Sequence, residues 1–160
     1  MNGKLTIANI GDSVATLVRK DSSWTKLNEE HTPSRTDEQL RIQNSNGIIF
    51  NNRVEGQLSV SRAFGDLKLK DFVISEPEGK TWPLTAQDDL LILSSDGLYN
   101  AYSQEHVVKR VLELRSQGLQ YGPIAQTIIE ECLALEHTRK HCYDNVTLVI
   151  VSLSEYFRER

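Results

Sequence analysis

The sequence lacks any long apolar run, and this argues against a membrane protein. A membrane-spanning helix needs ~18 consecutive apolar residues, and no apolar run in the 160-residue sequence approaches that length. The amino terminus, MNGKLTIANI, has too short an apolar run for a signal peptide. Its 18 basic residues form no run and are outnumbered by 22 acidic ones. We therefore expect neither a nucleic acid nor an anionic membrane as partner.

Cysteine is also scarce. Only Cys132 and Cys142 occur, and their spacing does not match a short metal-binding motif. Two such cysteines are typical of free thiols in a reducing compartment. We therefore expect an intracellular protein, in the cytoplasm or the nucleus.

Internal repeats, low-complexity tracts and clear linkers are absent as well, so the chain 1–160 is interpreted as one domain. Residues 5–10 and 15–18 are apolar runs separated by GDS, which predicts a β-hairpin. Ser103 is a good N-cap for a helix ending near Gly118. Thr36 is predicted to cap a shorter helix, and residues 145–153 to form a strand buried on both faces. Strands followed by adjacent helices indicate an α+β fold with a largely antiparallel sheet.

Three acidic residues stand at the ends of predicted strands. Asp12 follows LTIANI, Asp96 follows LLILSS, and Asp144 precedes NVTLVIV. If these strands are neighbours, the carboxylates meet at one rim of the sheet. Clustered carboxylates repel unless a cation holds them, and oxygen ligands favour Mg²⁺ or Mn²⁺. The alternative is that each acid is simply a turn former, as Asp-Gly and Asp-Asn often are.

Five segments resemble the metal-dependent PPM (PP2C-type) serine/threonine protein phosphatases, in the order found in that family. The segment RVEGQLSVSRAFGD at 53–66 is the most specific of them, being very similar to the family's RVxGxLAVSRAFGD. The others are ANIGDS, LNEEHTP, LLILSSDGLYN and YDNVTLVIV. The resemblance covers nearly the whole chain, from about residue 4 to residue 153, and implies that residues 1–160 form the C-terminal portion of a phosphatase domain of this type.

This resemblance implies a partial β-sandwich of antiparallel sheets flanked by helices, with a two-metal centre at one end. Asp96 and Asp144 would be ligands of the second catalytic Mg²⁺ or Mn²⁺ ion, and Asp12 would serve a third, weaker metal site. Two such ions activate a water for in-line attack on a phosphoryl group. The implied substrate is a phosphoprotein carrying phosphoserine or phosphothreonine.

The sequence departs from the family pattern in several places. The family's DGHGG block and its upstream RxxxED-type segment are absent, and with them the expected general acid and the phosphate-binding arginine. No catalytic residue is therefore assigned. Val14 replaces an arginine, and Asn100 replaces an acid that often helps to bind the third metal. We expect an incomplete domain with an open sheet edge, covered by a protein partner or a second copy.

Arg62 is a candidate substrate-binding residue, although a structural ion pair is the alternative interpretation and is favoured for both Arg62 and Arg53. Three functions stay open on the sequence alone. The chain carries part of the active site of a metal-dependent phosphatase, or it is a catalytically dead pseudophosphatase acting as a binding module, or it is a truncated gene product.

Overall fold

The computed structural model describes residues 3–139 and 144–154, with the backbone alone for residues 136–139. It confirms the α+β class, with antiparallel sheets and helices. The strands are β1 Gly3–Asn9, β2 Val14–Arg19, β3 Trp24–Lys26, β4 Ile49–Phe50, β5 Arg53–Val54, β6 Glu78–Leu84, β7 Asp88–Ser94 and β8 Leu148–Ser152. The helices are α1 Thr36–Asn44, α2 Gly97–Ala101, α3 Gln104–Ser116 and α4 Tyr121–Arg139, with a short 3-10 helix at Leu67–Leu69.

The chain divides into two compact units. The first unit comprises residues 1–5, 14–27 and 83–160, and the second unit comprises residues 6–13 and 28–82. Each unit has its own buried apolar cluster.

A four-stranded antiparallel sheet forms the centre of the first unit, in the order β3-β2-β7-β8. Strand β7 lies inside the sheet, and all but one of its residues are buried, as expected for the apolar run DLLIL. One face of the sheet packs on α3 and α4, because side chains with helical spacing on those helices meet alternate strand residues. The buried members of this cluster are Val18, Leu90, Ile92, Leu98, Val107, Val108, Val111, Leu114, Ile124, Ile128, Cys132 and Leu148.

Helix α3 begins and ends as the sequence predicts. The Ser103 side chain accepts a hydrogen bond from the backbone N–H of His106 at 3.2 Å. Gly118 follows the helix with a φ of +89°, a left-handed conformation that favours glycine. Cys132 in α4 is a buried free thiol, as predicted, whereas Cys142 lies outside the described residues.

The predicted hairpin of the first two strands is wrong. Strand β1 pairs with β6, whereas β2 pairs with β3 and β7. The turn between them leads the chain from one sheet to another, with a φ of +89° at Gly11. Strand β2 has five consecutive buried residues and lies inside the four-stranded sheet, paired with β3 on one side and β7 on the other.

The prediction that the last strand is buried on both faces is also wrong. Strand β8 is an edge strand that begins only at Leu148, and its burial alternates. Val149 and Val151 are 45% and 39% exposed on the face opposite to the helices, where Leu93 of β7 is 37% exposed. The face of the sheet opposite to the helices is therefore apolar at these three residues and partly exposed to solvent.

The second unit contains α1, the two-residue strands β4 and β5, and most of β1 and β6. Its apolar cluster has only three buried members, Ile42, Val54 and Val73. Thr36 is the first helical residue of α1 and not the predicted cap, since Arg35 occupies the N-cap position without a side-chain cap bond. Arg35 instead forms an ion pair with Asp37 at 2.6 Å.

Among the described residues, no helix is both long and apolar enough to cross a bilayer.

Candidate metal site at the end of strand β7

Asp96 lies where β7 ends and α2 begins. The strand stops at Ser94, and Asp96 occupies the N-cap position of α2 with helical backbone angles. Its side chain makes no cap hydrogen bond to that helix, although Asp is one of the best capping residues. The carboxylate is therefore not used as a helix cap.

Residues 144–147 run beside this turn as an irregular segment that leads into β8. Three hydrogen bonds connect the segment to Ser95. The Ser95 backbone N–H donates to the Thr147 carbonyl at 3.1 Å. The Ser95 hydroxyl accepts from the Thr147 backbone N–H at 3.0 Å and donates to the Asn145 carbonyl at 3.0 Å. These bonds extend the pairing of β7 with β8 beyond the end of the sheet.

Gly97 makes an even closer approach possible. A Cβ atom at this position would lie 2.7 Å from the Asn145 carbonyl oxygen and 3.3 Å from the Cβ of Asp144. Any side chain there would force the two segments apart, because real Cβ contacts are not so short. The glycine after Asp96 thus lets the backbone that carries Asp144 lie directly against the turn that carries Asp96.

The two carboxylates are suited to a hard divalent ion. Asp144 is exposed, and its Oδ1 accepts a hydrogen bond from the Asn145 backbone N–H at 2.7 Å, which fixes its rotamer. Carboxylate and carbonyl oxygens are the ligands that Mg²⁺ and Mn²⁺ prefer. In the described part of the chain, however, no three His, Cys, Asp or Glu side chains are grouped to hold a metal ion. The two carboxylates are therefore a pair of candidate ligands and not a complete set.

Asp12, the third predicted ligand, belongs to the second unit, and its assignment stays a prediction.

Of the two departures from the family pattern, Val14 is the buried first residue of β2. Asn100 is exposed in α2. Val14, Ser94 and Leu148 stand opposite one another in the register, so β2 begins at the end of the sheet where β7 ends.

The predicted substrate contact Arg62 is engaged inside the second unit. Its Nε and Nη2 donate to Glu38 Oε1 at 3.1 and 2.6 Å, and Nη1 donates to the Glu76 carbonyl at 2.9 Å. Arg41 and the Ser61 hydroxyl bind the other oxygen of Glu38 at 2.9 and 2.6 Å. Substrate binding by Arg62 stays a prediction, and these contacts fit the structural ion pair.

Burial raises the pKa of the Glu38 carboxyl, but hydrogen bonds from Arg62, Arg41 and Ser61 outweigh it and lower the pKa to about 2. His31 is fully buried nearby, with its Nε2 at 3.4 Å from Glu78 Oε2 and its Nδ1 at 3.4 Å from the Asn9 amide nitrogen. Burial and the positive charges of Arg62 and Arg35 lower the pKa of His31. The backbone N–H of His31 donates a hydrogen bond to the Gly11 carbonyl at 2.9 Å.

Sequence reasoning missed two of these features. Ser95 gave no signal beyond its place before Asp96, since a hydroxyl that binds a distant segment leaves no periodic pattern. Glu38 likewise gave no signal in the sequence. Its partners Ser61 and Arg62 lie 23 and 24 residues away along the chain, so only the tertiary fold reveals the network.

The comparisons with known proteins assign the family. The model of the family described as "Protein phosphatase 2C" matches residues 1–140, most of the chain. The chain belongs to the protein phosphatase 2C family. Four of the five resembling segments lie within the matched residues, and the fifth, YDNVTLVIV at 143–151, lies beyond them.

Named relatives of this phosphatase 2C chain include plant and animal proteins. "Probable protein phosphatase 2C 71" of Arabidopsis thaliana is 35% identical over 95% of this chain and 32% of that protein. "Protein phosphatase 1L" of Bos taurus is 37% identical over 92% of this chain and 40% of that protein. The chain thus spans less than half the length of these relatives.

Solved structures share the fold. A serine-threonine phosphatase 2C from Toxoplasma gondii superposes with a TM-score of 0.80 at 26% identity, covering 94% of this chain and 54% of that one. A C. elegans sex determining protein has a TM-score of 0.81 at 24% identity, over 94% of this chain and 37% of that one, which shows the fold alone.

Proposed function

We propose that the chain supplies two metal ligands, Asp96 and Asp144, to a Mg²⁺- or Mn²⁺-dependent protein phosphatase acting on phosphoserine and phosphothreonine. The observation that carries this proposal is the close packing of the Asp96–Gly97 turn against the Asp144–Asn145 segment, with the Asp96 carboxylate unused as a helix cap. Family membership supports a protein phosphatase. The metal dependence, the substrate and the activity of this chain are the proposed part.

The residues of the chain act by holding oxygen donors in place. Asp144 is oriented by the Asn145 backbone N–H, and Asp96 leaves the buried strand β7 at a fixed point because the strand is paired on both sides. Ligands on such rigid supports keep their geometry better than ligands on free loops. A bound divalent ion would supply an activated water and neutralise charge on the phosphoryl group.

The donor set and the family support hydrolysis by a metal-activated water as the proposed reaction. Water adds its oxygen to phosphorus, the bond between phosphorus and the serine or threonine oxygen breaks, and that oxygen takes up a proton. The described residues around Asp96 include no cysteine, serine or histidine held as an activated nucleophile. A direct attack by water therefore agrees better with the site than a phosphorylated enzyme intermediate.

Hydrolysis of a phosphothreonine peptide by the 160-residue chain joined to a segment that carries the family's DGHGG block tests this function. We expect this joined protein to be active with Mn²⁺ or Mg²⁺, to lose that activity in EDTA, and to be at least 100-fold slower with Asp96→Ala or Asp144→Ala. Asp71→Ala is the matched control, because Asp71 is an exposed aspartate of the second unit. It should keep the wild-type rate.

Two results would count against the proposal. Activity that survives EDTA or either ligand substitution would place the chemistry elsewhere. A folded joined protein that binds Mn²⁺ but hydrolyses no phosphopeptide would favour the binding-module alternative, in which the scaffold docks a partner without turnover.

A further inference from the structure

We propose that Ser95 is a positioning residue whose hydroxyl fixes the Asp144–Thr147 segment against the Asp96–Gly97 turn. The inference rests on the proposed function, because the purpose of the contact is to set the separation of the two metal-binding carboxylates. Ser95 itself is not a ligand in this proposal.

The hydroxyl of Ser95 is used in both directions. It accepts from the Thr147 backbone N–H and donates to the Asn145 carbonyl, each at 3.0 Å. A serine or threonine hydroxyl can do both at once, whereas alanine can do neither and a thiol does both weakly. One side chain thus satisfies a donor and an acceptor on either side of Val146.

The bonds act at the point where regular pairing stops. Strand β8 pairs with β7 only from Leu148, which stands opposite Ser94. Without the Ser95 hydroxyl, residues 144–147 would keep a single backbone bond to this turn, from the Ser95 N–H to the Thr147 carbonyl. Asp144 lies three residues before Thr147, so freedom in this segment becomes freedom of its carboxylate.

Gly97 and Ser95 complement each other in this arrangement. The absence of a side chain at Gly97 permits the close approach to Asn145 and Asp144, and the Ser95 hydroxyl holds the segment there. Residues that orient metal ligands in this way commonly change metal affinity 10- to 100-fold when they are removed.

The adjacent serine provides a matched control. Ser94 is almost fully buried, and among the described residues its hydroxyl has no hydrogen-bond partner. Ser94→Ala removes the same atom one residue away and should leave the segment unchanged. Ser95→Ala removes the two bonds, and Ser95→Thr keeps a hydroxyl and should restore at least part of them.

Two readouts on the full chain test the inference. Amide exchange without metal should be at least 10-fold faster at Thr147 in Ser95→Ala, but not in Ser94→Ala. Mn²⁺ titration should show about 10- to 100-fold weaker binding in Ser95→Ala, an affinity within twofold of wild type in Ser94→Ala, and recovery in Ser95→Thr.

Equal exchange and equal Mn²⁺ affinity in the two alanine variants would overturn the role of Ser95. Faster exchange with unchanged affinity would also overturn it, because the segment would then be held without any effect on the ligands. A wild-type chain that binds no Mn²⁺, or that binds it equally well as Asp96→Ala, would instead refute the proposed function. The Thr147 exchange rates still show in that case whether the hydroxyl holds the segment.

Discussion

Different interactions stabilise the interiors of the two units. The first unit has a cluster of twelve buried side chains between a four-stranded sheet and its helices. The second unit has three buried apolar residues and, beside them, a fully buried carboxylate with three hydrogen-bonding partners. The first is stabilised mainly by apolar burial and the second largely by a polar network.

This difference suggests a division of roles. A large apolar core gives a rigid sheet, and the pair of candidate metal ligands lies at the end of that sheet. A unit built on ion pairs responds to acid, because its contacts depend on charge. Matched substitutions in the two units test this difference. Backbone amide hydrogen exchange measures the stability of each unit separately.

The largest expected effect comes from removing the same side chain in each core. Ile128 of the first unit and Ile42 of the second are both completely buried. Ile128→Ala should lower the free energy of unfolding by about 4 kcal/mol and Ile42→Ala by about 2 kcal/mol, because the cavity term is smaller where fewer neighbours are fixed. Exchange of the backbone amides of each unit would measure both values. An equal loss in the two variants would remove the distinction between the cores.

A slightly smaller effect is expected from the polar network. Glu38→Gln keeps the shape of the side chain but leaves Arg62 and Arg41 without their carboxylate. We expect a loss of about 2 kcal/mol, below the ~3–5 kcal/mol found for fully buried pairs, since both arginines are partly exposed. Exchange should rise in the second unit alone. Glu55→Gln, a change at an acid outside this network, is the control.

Acid should weaken the second unit selectively. The pKa of Glu38 is about 2 in the folded chain, below the ordinary value of 4.5, so its contribution is full above pH 4.5 and is lost as the pH falls towards 2. His31 has a lowered pKa, so the unfolded chain binds the proton first and stability begins to fall below about pH 6.5. Exchange measured from pH 7 to pH 3, corrected for intrinsic rates, should show second-unit amides opening first. In Glu38→Gln the slope below pH 4.5 should become smaller but should remain, because Asp37 and Glu78 of the second unit also have lowered pKa values.

The smallest effect is expected at the end of α3. Gly118 has a φ of +89° and open space around it, so Gly118→Ala introduces backbone strain without a clash. We expect a loss of about 1 kcal/mol, visible as a lower melting temperature of the first unit. Gln117→Ala is the control, because this exposed residue stands next to Gly118 with an ordinary φ of −79° and its substitution should be close to neutral.

Local signals in the sequence predicted the parts of the fold that depend on neighbouring residues. Ser103 and Gly118 mark the two ends of α3, because an N-cap and a left-handed residue each act within one helical turn. The run before Asp96 was identified as a buried strand because continuous apolar residues have few other uses. Family membership was predicted from segments of this kind and is confirmed.

Pairing between distant segments was not predicted correctly. The GDS turn resembles a hairpin turn, but the choice of β6 as partner of β1 depends on the whole fold. Strand β8 is as rich in valine and isoleucine as an interior strand, yet it lies at the edge of the sheet and its Val149 and Val151 are partly exposed. The candidate ligands Asp96 and Asp144 were predicted from their positions at strand ends. The role of Ser95 was not predicted, because its hydroxyl bonds to a segment about 50 residues away in the chain.

Calorimetric titration of the purified chain with Mn²⁺ tests the central claim most directly. If Asp96 and Asp144 hold a divalent ion, the wild-type chain and Asp71→Ala should bind Mn²⁺ with equal affinity, and both Asp96→Ala and Asp144→Ala should lose measurable binding. Binding that persists unchanged in both ligand variants, or a folded wild-type chain that binds no Mn²⁺, would contradict the assignment of this site.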